Sequence, residues 1–352
     1  MKKESDDTEK NVEKIFDEFK NKKLGRVIKK ARWLTILRNL AISFFVFCVL
    51  FFMVSYFISS YASRHRTSTY NYTFALNSIS APDKYLGVSV QKINPYWSKN
   101  EYTTYKIIEE KVVYTGTMED EFFPLSLSNP MIAESCPPIM DYTFTHTEIE
   151  YTGCRRFNEF GQRVMVFFYP FVKYDAGLYL NDLDYLDDIA DDKYIEMALS
   201  FDREYTIEDA EKMLPESITV TWYWIDDLSG NEKEFLKIPR AEQLEMEQPI
   251  YIPYVRSEYT AYGIKLHYND GVMINDPAES FITVITERMT EFRKGNEFER
   301  IHSNIAGNNG ELTKDDIKIW GAVVTGDPES LKVLAGLPFI RASSLGVVTD
   351  KY

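Results

Sequence analysis

The sequence predicts an α+β extracytoplasmic domain on a single transmembrane helix, preceded by a short helical cytoplasmic segment. Three observations lead there. Near the N-terminus, Leu40 to Tyr61 run for 22 residues without a charge. The charge is split around that run: residues 1–61 carry 12 Lys/Arg against seven Asp/Glu, and residues 62–352 carry 28 against 47. Beyond it, β-rich stretches alternate with capped helical ones. The 352 residues are 45% hydrophobic, ample for a packed core, and the net charge of −14 excludes a nucleic-acid binder, which needs a basic face.

Within residues 1–38, Asp6 or Asp7 caps a helix over 8–37, with Glu9 in its first turn. Val12, Ile15, Phe16 and Phe19 follow i, i+3, i+4, i+7 spacing and share one face. Leu24, Val27, Ile28 and Ala31 repeat the pattern after Asn21, and Gly25 loosens the join. So short a segment cannot bury such a stripe alone. It lies on a membrane surface or in a partner's groove. The neighbouring lysines suit lipid, whereas two phenylalanines and an isoleucine on one face favour a protein groove.

The run LAISFFVFCVLFFMVSYFISSY, at 1.5 Å per residue, spans about 33 Å, enough for a hydrocarbon core of about 30 Å. It is apolar on every face and flanked by Arg38, Arg64 and Arg66, unlike a buried core helix. It is longer than a signal-peptide core and lacks an A-x-A site. Lys20, Lys22, Lys23, Arg26, Lys29, Lys30, Arg32 and Arg38 precede it, and only Arg64 and Arg66 follow closely. The positive-inside rule puts residues 1–38 in the cytoplasm, 39–61 in the bilayer and the rest outside.

Residues 62–157 form a strand-rich membrane-proximal region, with strands expected at Tyr70–Leu76, Gly87–Lys92 and Tyr105–Tyr114. Residues 158–352 mix both element types. Arg163–Phe168, Glu196–Phe201, Ile218–Ile225, Ile317–Val324 and Phe339–Val348 are the expected strands. Thr206 to Asp209 is a capping box for a helix that Pro215 ends. Asp276-Pro277 opens a helix with the stripe Ile282, Ile285, Met289 and Phe292, and Gly326-Asp327-Pro328 opens another reaching Ala335.

Chemistry-bearing patterns are sparse. His65, His146, His267 and His302 are scattered without metal-ligand spacing, and no G-x-S-x-G, Walker or G-x-G-x-x-G motif occurs. Ser89 to Lys92 fits S-x-x-K without its companion motifs. The acidic stretch Asp182 to Asp192 fails the EF-hand pattern and is expected as a solvated helix or turn. The aromatic stretch Pro95–Tyr105 suits half-buried strand packing more than glycan stacking. No catalytic residue, metal or cofactor is expected. Cys136 and Cys154 are either a disulfide or two small buried side chains, and sequence cannot show the close approach that a bridge needs.

Three stretches carry a resemblance. IKKARWLTILRNLAISFFVF resembles the stretch leading into the membrane in the sigma factor regulator N-terminal domain. EMALSFDREYTIEDAEKMLPESITVTWYWID resembles the core of the matching C-terminal domain, and IWGAVVTGDPESLKVLAGLPFIRASSLGVV its last strand–helix–strand. The resemblance covers 20–348 with gaps and implies a membrane-bound anti-sigma factor of low-GC Gram-positive bacteria. Its implied partner is an extracytoplasmic-function sigma factor, with a protease or a second membrane protein as the agent of release. The zinc-containing anti-sigma group carries an H-x3-C-x2-C site in a larger cytoplasmic domain. Residues 1–38 here hold no His and no Cys, so the grip is expected to be metal-free, through Val12, Ile15, Phe16, Phe19, Leu24, Val27 and Ile28. The rival expectation is a membrane-anchored envelope binding or sensor protein whose residues 1–38 only set its topology. An anchored hydrolase has less support.

Overall fold

The computed structural model describes residues 2–352 except 95–96, 123–130, 135–138, 141–142, 145–148, 151–154, 159, 175–178, 240–241, 244–253, 270–271, 293 and 308. Cys136 and Cys154 lie outside the described residues. The chain forms two compact units, Met1–Ser63 and Arg64–Tyr352.

The first unit is helical. Helix α1 runs from Lys2 to Ile79 and passes through Gly25 without a break. It carries the one stretch, among the described residues, long and apolar enough to cross a membrane.

Residues 64–79, the last turns of α1, belong to the second unit. Here the expected strand Tyr70–Leu76 is helical. Tyr72, Ala75, Leu76 and Ile79 recur at i, i+3, i+4, i+7, and the core contact of that face outweighs the strand preference of Tyr and Thr. After the helix come β1 (Lys84–Asn94), β2 (Trp97–Ile108), β3 (Lys111–Phe122) and β4 (Met131–Glu134), an antiparallel sheet in sequence order. The expected strand Tyr105–Tyr114 is instead a hairpin, because Glu109 takes a positive φ of 54° and turns the chain.

A second sheet holds the main core. It comprises β5 (Lys193–Tyr205), β6 (Thr219–Ile225), β7 (Gly263–Lys265), β8 (Ile319–Gly326) and β9 (Ile340–Asp350). Their spatial order is β7-β6-β8-β5-β9, every pair antiparallel. The strands expected around Glu196, Ile218, Ile317 and Phe339 are β5, β6, β8 and β9. Helix α2 (Ile207–Met213) starts where Thr206 accepts from the Asp209 amide at 3.1 Å. Ser229 opens α3 (Gly230–Lys237) with a full capping box, and Asp276 caps α4 (Pro277–Glu291) with Pro277 in its first turn. Helices α5 (Glu297–Ile305) and α6 (Pro328–Leu331) complete the set.

Strand alternation divides the core. One face of the sheet presents Ile195, Met197, Leu199, Tyr223 and Ile225 to α2, α4, α5 and the end of α1. The other presents Ala198, Trp222, Trp224 and Trp320 to the segment Met165–Tyr169 and to α3. Arg163–Phe168 was expected as one strand. It is two pairs, Arg163–Val164 beside Arg156–Phe157 and Val166–Phe167 beside Arg256–Ser257, because its halves meet different partners. In α4 the stripe is wider than Ile282, Ile285, Met289 and Phe292: Ala278 and Phe281 are buried with Ile285. The acidic stretch from Asp182 is a 3-10 helix over Asp182–Asp188, but Asp182 is buried rather than solvated, accepting from Arg155 at 2.6 Å and from the Leu345 amide at 2.8 Å.

Candidate functional site

Helix α1 presents large apolar side chains to its surroundings: Phe16 is 73% exposed and Phe19 70%. Ile15, Leu24, Val27 and Ile28 are exposed as well, and the Val12 side chain lies outside the described residues. Because the helix is continuous through Gly25, the two groups do not share a face. At 100° per residue, the group Ile15, Phe16, Phe19 is centred about 120° around the axis from Leu24, Val27, Ile28. Opposite the second group lie Lys22, Arg26 and Lys29. The residues expected to bind as one stripe are therefore two faces.

In the second unit the last turns of α1 are built into the core. Ala75 and Ile79 are buried, and Tyr72 packs edge-on against Phe292 and Phe298, with centroids 5.0 and 5.8 Å away. Burial, then the charge of Glu297, raises the Tyr72 phenol above its ordinary value. The opposite side of the same turns faces the first sheet. There Thr73 donates to Asp120 Oδ2 at 2.9 Å, and Asn100 and Tyr102 donate to the same carboxylate. Tyr70 packs at a tilt and Phe74 edge-on against Tyr102, with centroids 6.1 and 5.8 Å away.

Between the two sheets lies a buried charged cluster. Lys106 Nζ, on β2, donates to both oxygens of Glu196 on β5, at 3.0 and 2.9 Å, and to Glu258 at 2.7 Å. All three side chains are at most 5% exposed. Burial opposes the Lys106 charge, but the two glutamates outweigh it and hold the ammonium protonated beyond the usual lysine range. Gly346 makes room for this pair: a Cβ there would stand 2.5 Å from Glu196 Oε2. Close by, Asp83 accepts from Thr221 on β6, and Lys265 donates to the Lys84 carbonyl at 2.8 Å. A second buried node joins Asp227 to Arg256, at 2.7 and 2.6 Å, and to Arg300 at 2.8 Å.

These nodes are structural links, and the sequence did not flag them. Asn100 and Lys106 fall on the buried side of β2 among polar neighbours, and Asp120 sits in the acidic string Glu119-Asp120-Glu121, which resembles a solvated edge. The usable signal was alternation: residues 98, 100, 102, 104, 106 and 108 are all buried. Among the described residues no group of three or more His, Cys, Asp or Glu side chains is placed to hold a metal ion.

Two family models match the chain. One, described as sigma factor regulator N-terminal, matches residues 25–113, which run from the basic part of α1 to the start of β3. The other, described as sigma factor regulator C-terminal, matches residues 186–347, which hold the five-stranded sheet and its helices. No curated protein and no solved structure matches the chain. The two models are thus matched in order, the first spanning the apolar helix long enough to cross a bilayer and the second the main sheet, and the chain belongs to the sigma factor regulator family, as a single-pass membrane anti-sigma factor.

Proposed function

We propose that residues 1–38 lie in the cytoplasm and hold an extracytoplasmic-function sigma factor inactive. Residues 64–352 then lie outside and govern the grip. The observation that carries this reading is the exposed face Ile15, Phe16, Phe19, which none of the described residues covers. Burying one such side chain fully is worth roughly 1.5–3 kcal/mol. Three together support binding near the micromolar level, about −8 kcal/mol, once the helix is already formed. The route of control is α1 itself, an element that contains this face and also the turns locked by Thr73, Tyr72 and Ile79. A change outside acts by shifting a two-state element that both ends sense, or by exposing the chain to a protease.

The experiment is to express the full chain, and a version beginning at residue 30, with each extracytoplasmic-function sigma factor of the host in turn. One sigma factor should co-purify with the full chain from solubilised membranes and be lost from the shortened one. If none binds the full chain, it serves as an anchored envelope protein without a sigma partner.

A further inference from the structure

Between the first sheet, the loop that follows α1 and the segment leading to Val164 lies a narrow cleft of about 440 Å³, counted out to its open mouth. Three separate elements bring cations to its wall: Lys84 at the start of β1, Lys106 on β2 and Arg163. Glu258 is the one carboxylate among the described lining residues. With the next neighbours Lys265, Glu196 and Asp83 included, Lys84, Lys106, Arg163 and Lys265 still outnumber the three carboxylates. Residues 62–352 as a whole carry 28 Lys/Arg against 47 Asp/Glu, so the cleft is a positive enclave in an acidic unit.

Hydroxyls complete the wall. The β2–β3 register slips between Thr104 and Tyr105, which leaves Thr115 as an extra residue, and its side chain donates to Thr104 at 3.0 Å. That bond does not use the Thr104 proton. Thr117, two residues along β3, lines the cleft as well. Arg163 is held in place by its neighbours. Asn158 donates to Gln162 at 2.7 Å, Gln162 donates to the Tyr114 carbonyl at 2.9 Å, and the guanidinium lies 4.3 Å from the Phe157 ring centroid. The loop contributes Ala81 and Pro82 to the wall. Ala81 and Asp83 have positive φ of 48° and 53°, which non-glycine residues hold only when their surroundings fix them, and such strain gathers at ligand clamps. The Ala81 amide fixes the loop by donating to the Ala261 carbonyl at 3.2 Å.

We propose that this cleft binds a phosphate group. An ammonium, a guanidinium and neutral hydroxyls that converge from separate elements suit a tetrahedral oxyanion better than a planar carboxylate. Glu258 does not oppose this, because its charge is met by Lys106 at 2.7 Å. A phosphate bound there touches the loop after α1, the first sheet and Arg163 at once, and holds the three together. For the anti-sigma reading, on which this consequence alone rests, the cleft is an input to which the second unit responds.

The test is calorimetric titration of the full chain in dodecyl maltoside micelles with inorganic phosphate, at constant ionic strength and with no sigma factor present. Binding should saturate at one phosphate per chain, with a dissociation constant of about 1 mM or below, and phosphate should raise the melting temperature. Arg163→Gln and the isosteric Thr115→Val should each keep the native tryptophan fluorescence and weaken binding, the first by at least about tenfold. Acetate should bind at least about tenfold more weakly than phosphate. Glycerol 3-phosphate identifies the source of the group: binding as tight as that of phosphate means that it arrives on a larger molecule, exclusion means that the free ion is the ligand, and either supports the site. The proposal is overturned if phosphate shows no saturable binding up to about 20 mM, if acetate binds as tightly, or if both folded variants bind as the native chain does. None of these outcomes depends on whether the chain restrains a sigma factor.

Discussion

Thr73 on α1 and Asp120 on β3 are joined by a hydrogen bond of 2.9 Å, and neither residue is more than 1% exposed. Asp120 has two further donors, Asn100 at 2.6 Å and Tyr102 at 2.9 Å, so one carboxylate fastens the last turns of the helix to two strands. Burial raises its pKa while these three donors lower it, and burial prevails.

Removing the helix's share of this joint should loosen the second unit without unfolding it. Thr73→Val deletes one of three donors to a buried carboxylate and should cost about 1–3 kcal/mol. Thr73→Ser, which keeps the hydroxyl, should cost much less. Denaturant titration of the full chain in micelles, followed by tryptophan fluorescence, reads the difference. Equal stability of the two variants would mean that the hydroxyl contributes nothing.

Lys106→Met should be far more severe. It leaves Glu196 and Glu258 buried without their ammonium, a loss of roughly 3–5 kcal/mol. Adding Glu196→Gln and Glu258→Gln removes both stranded charges and should recover much of that loss. If the triple variant is no more stable than the single one, packing rather than charge is what Lys106 supplies.

Stability of the second unit should increase on mild acidification. The folded-state carboxyl of Asp83 is raised to about 7 and that of Asp226 to about 6, the latter by burial outweighing its ion pair with Lys233. Each folded group binds its proton more tightly than the unfolded chain does. The stability they contribute is therefore full below about pH 4 and is lost as pH rises through 6 and 7. The melting temperature of the full chain should fall between pH 5 and 7.5, and in Asp83→Asn/Asp226→Asn the fall should be much shallower. A rise over that range would contradict the buried-carboxyl account.

The sequence made some of this plain for physical reasons. The apolar run, the caps at Thr206 and Asp276, and the strands β5, β6, β8 and β9 were legible because burial on two faces leaves unbroken apolar stretches. The end of α1 was misread because Tyr70, Tyr72 and Thr73 favour strands in isolation, although the spacing of Tyr72, Ala75, Leu76 and Ile79 was helical. The buried clusters were invisible because Lys106, Glu196 and Glu258 are far apart in sequence, and nothing local distinguishes a paired charge from a solvated one.

Topology has a direct check of its own. The proposed orientation, with the N-terminus in the cytoplasm, rests on the basic flank ahead of the apolar run. A reporter active only outside the membrane should be active when fused after residue 100 and silent at residue 30. The reverse pattern would invert the proposed arrangement.

Because Gly25 leaves α1 unbroken, its two apolar faces point about 120° apart and should be separable by substitution. Leu24→Ser/Val27→Ser should change sigma binding less than a change at the first face. Equal losses from both would mean that the partner wraps around the helix.

In the proposed function, the face Ile15, Phe16, Phe19 holds the sigma factor. The measurement is binding of the full chain in nanodiscs to its purified sigma factor, native against Phe16→Glu/Phe19→Glu, with a sigma-dependent reporter in cells. The double variant should insert normally, lose at least about a hundredfold in affinity, about 2.7 kcal/mol, and release transcription. A double variant that inserts, binds and represses as the native chain does would contradict the account.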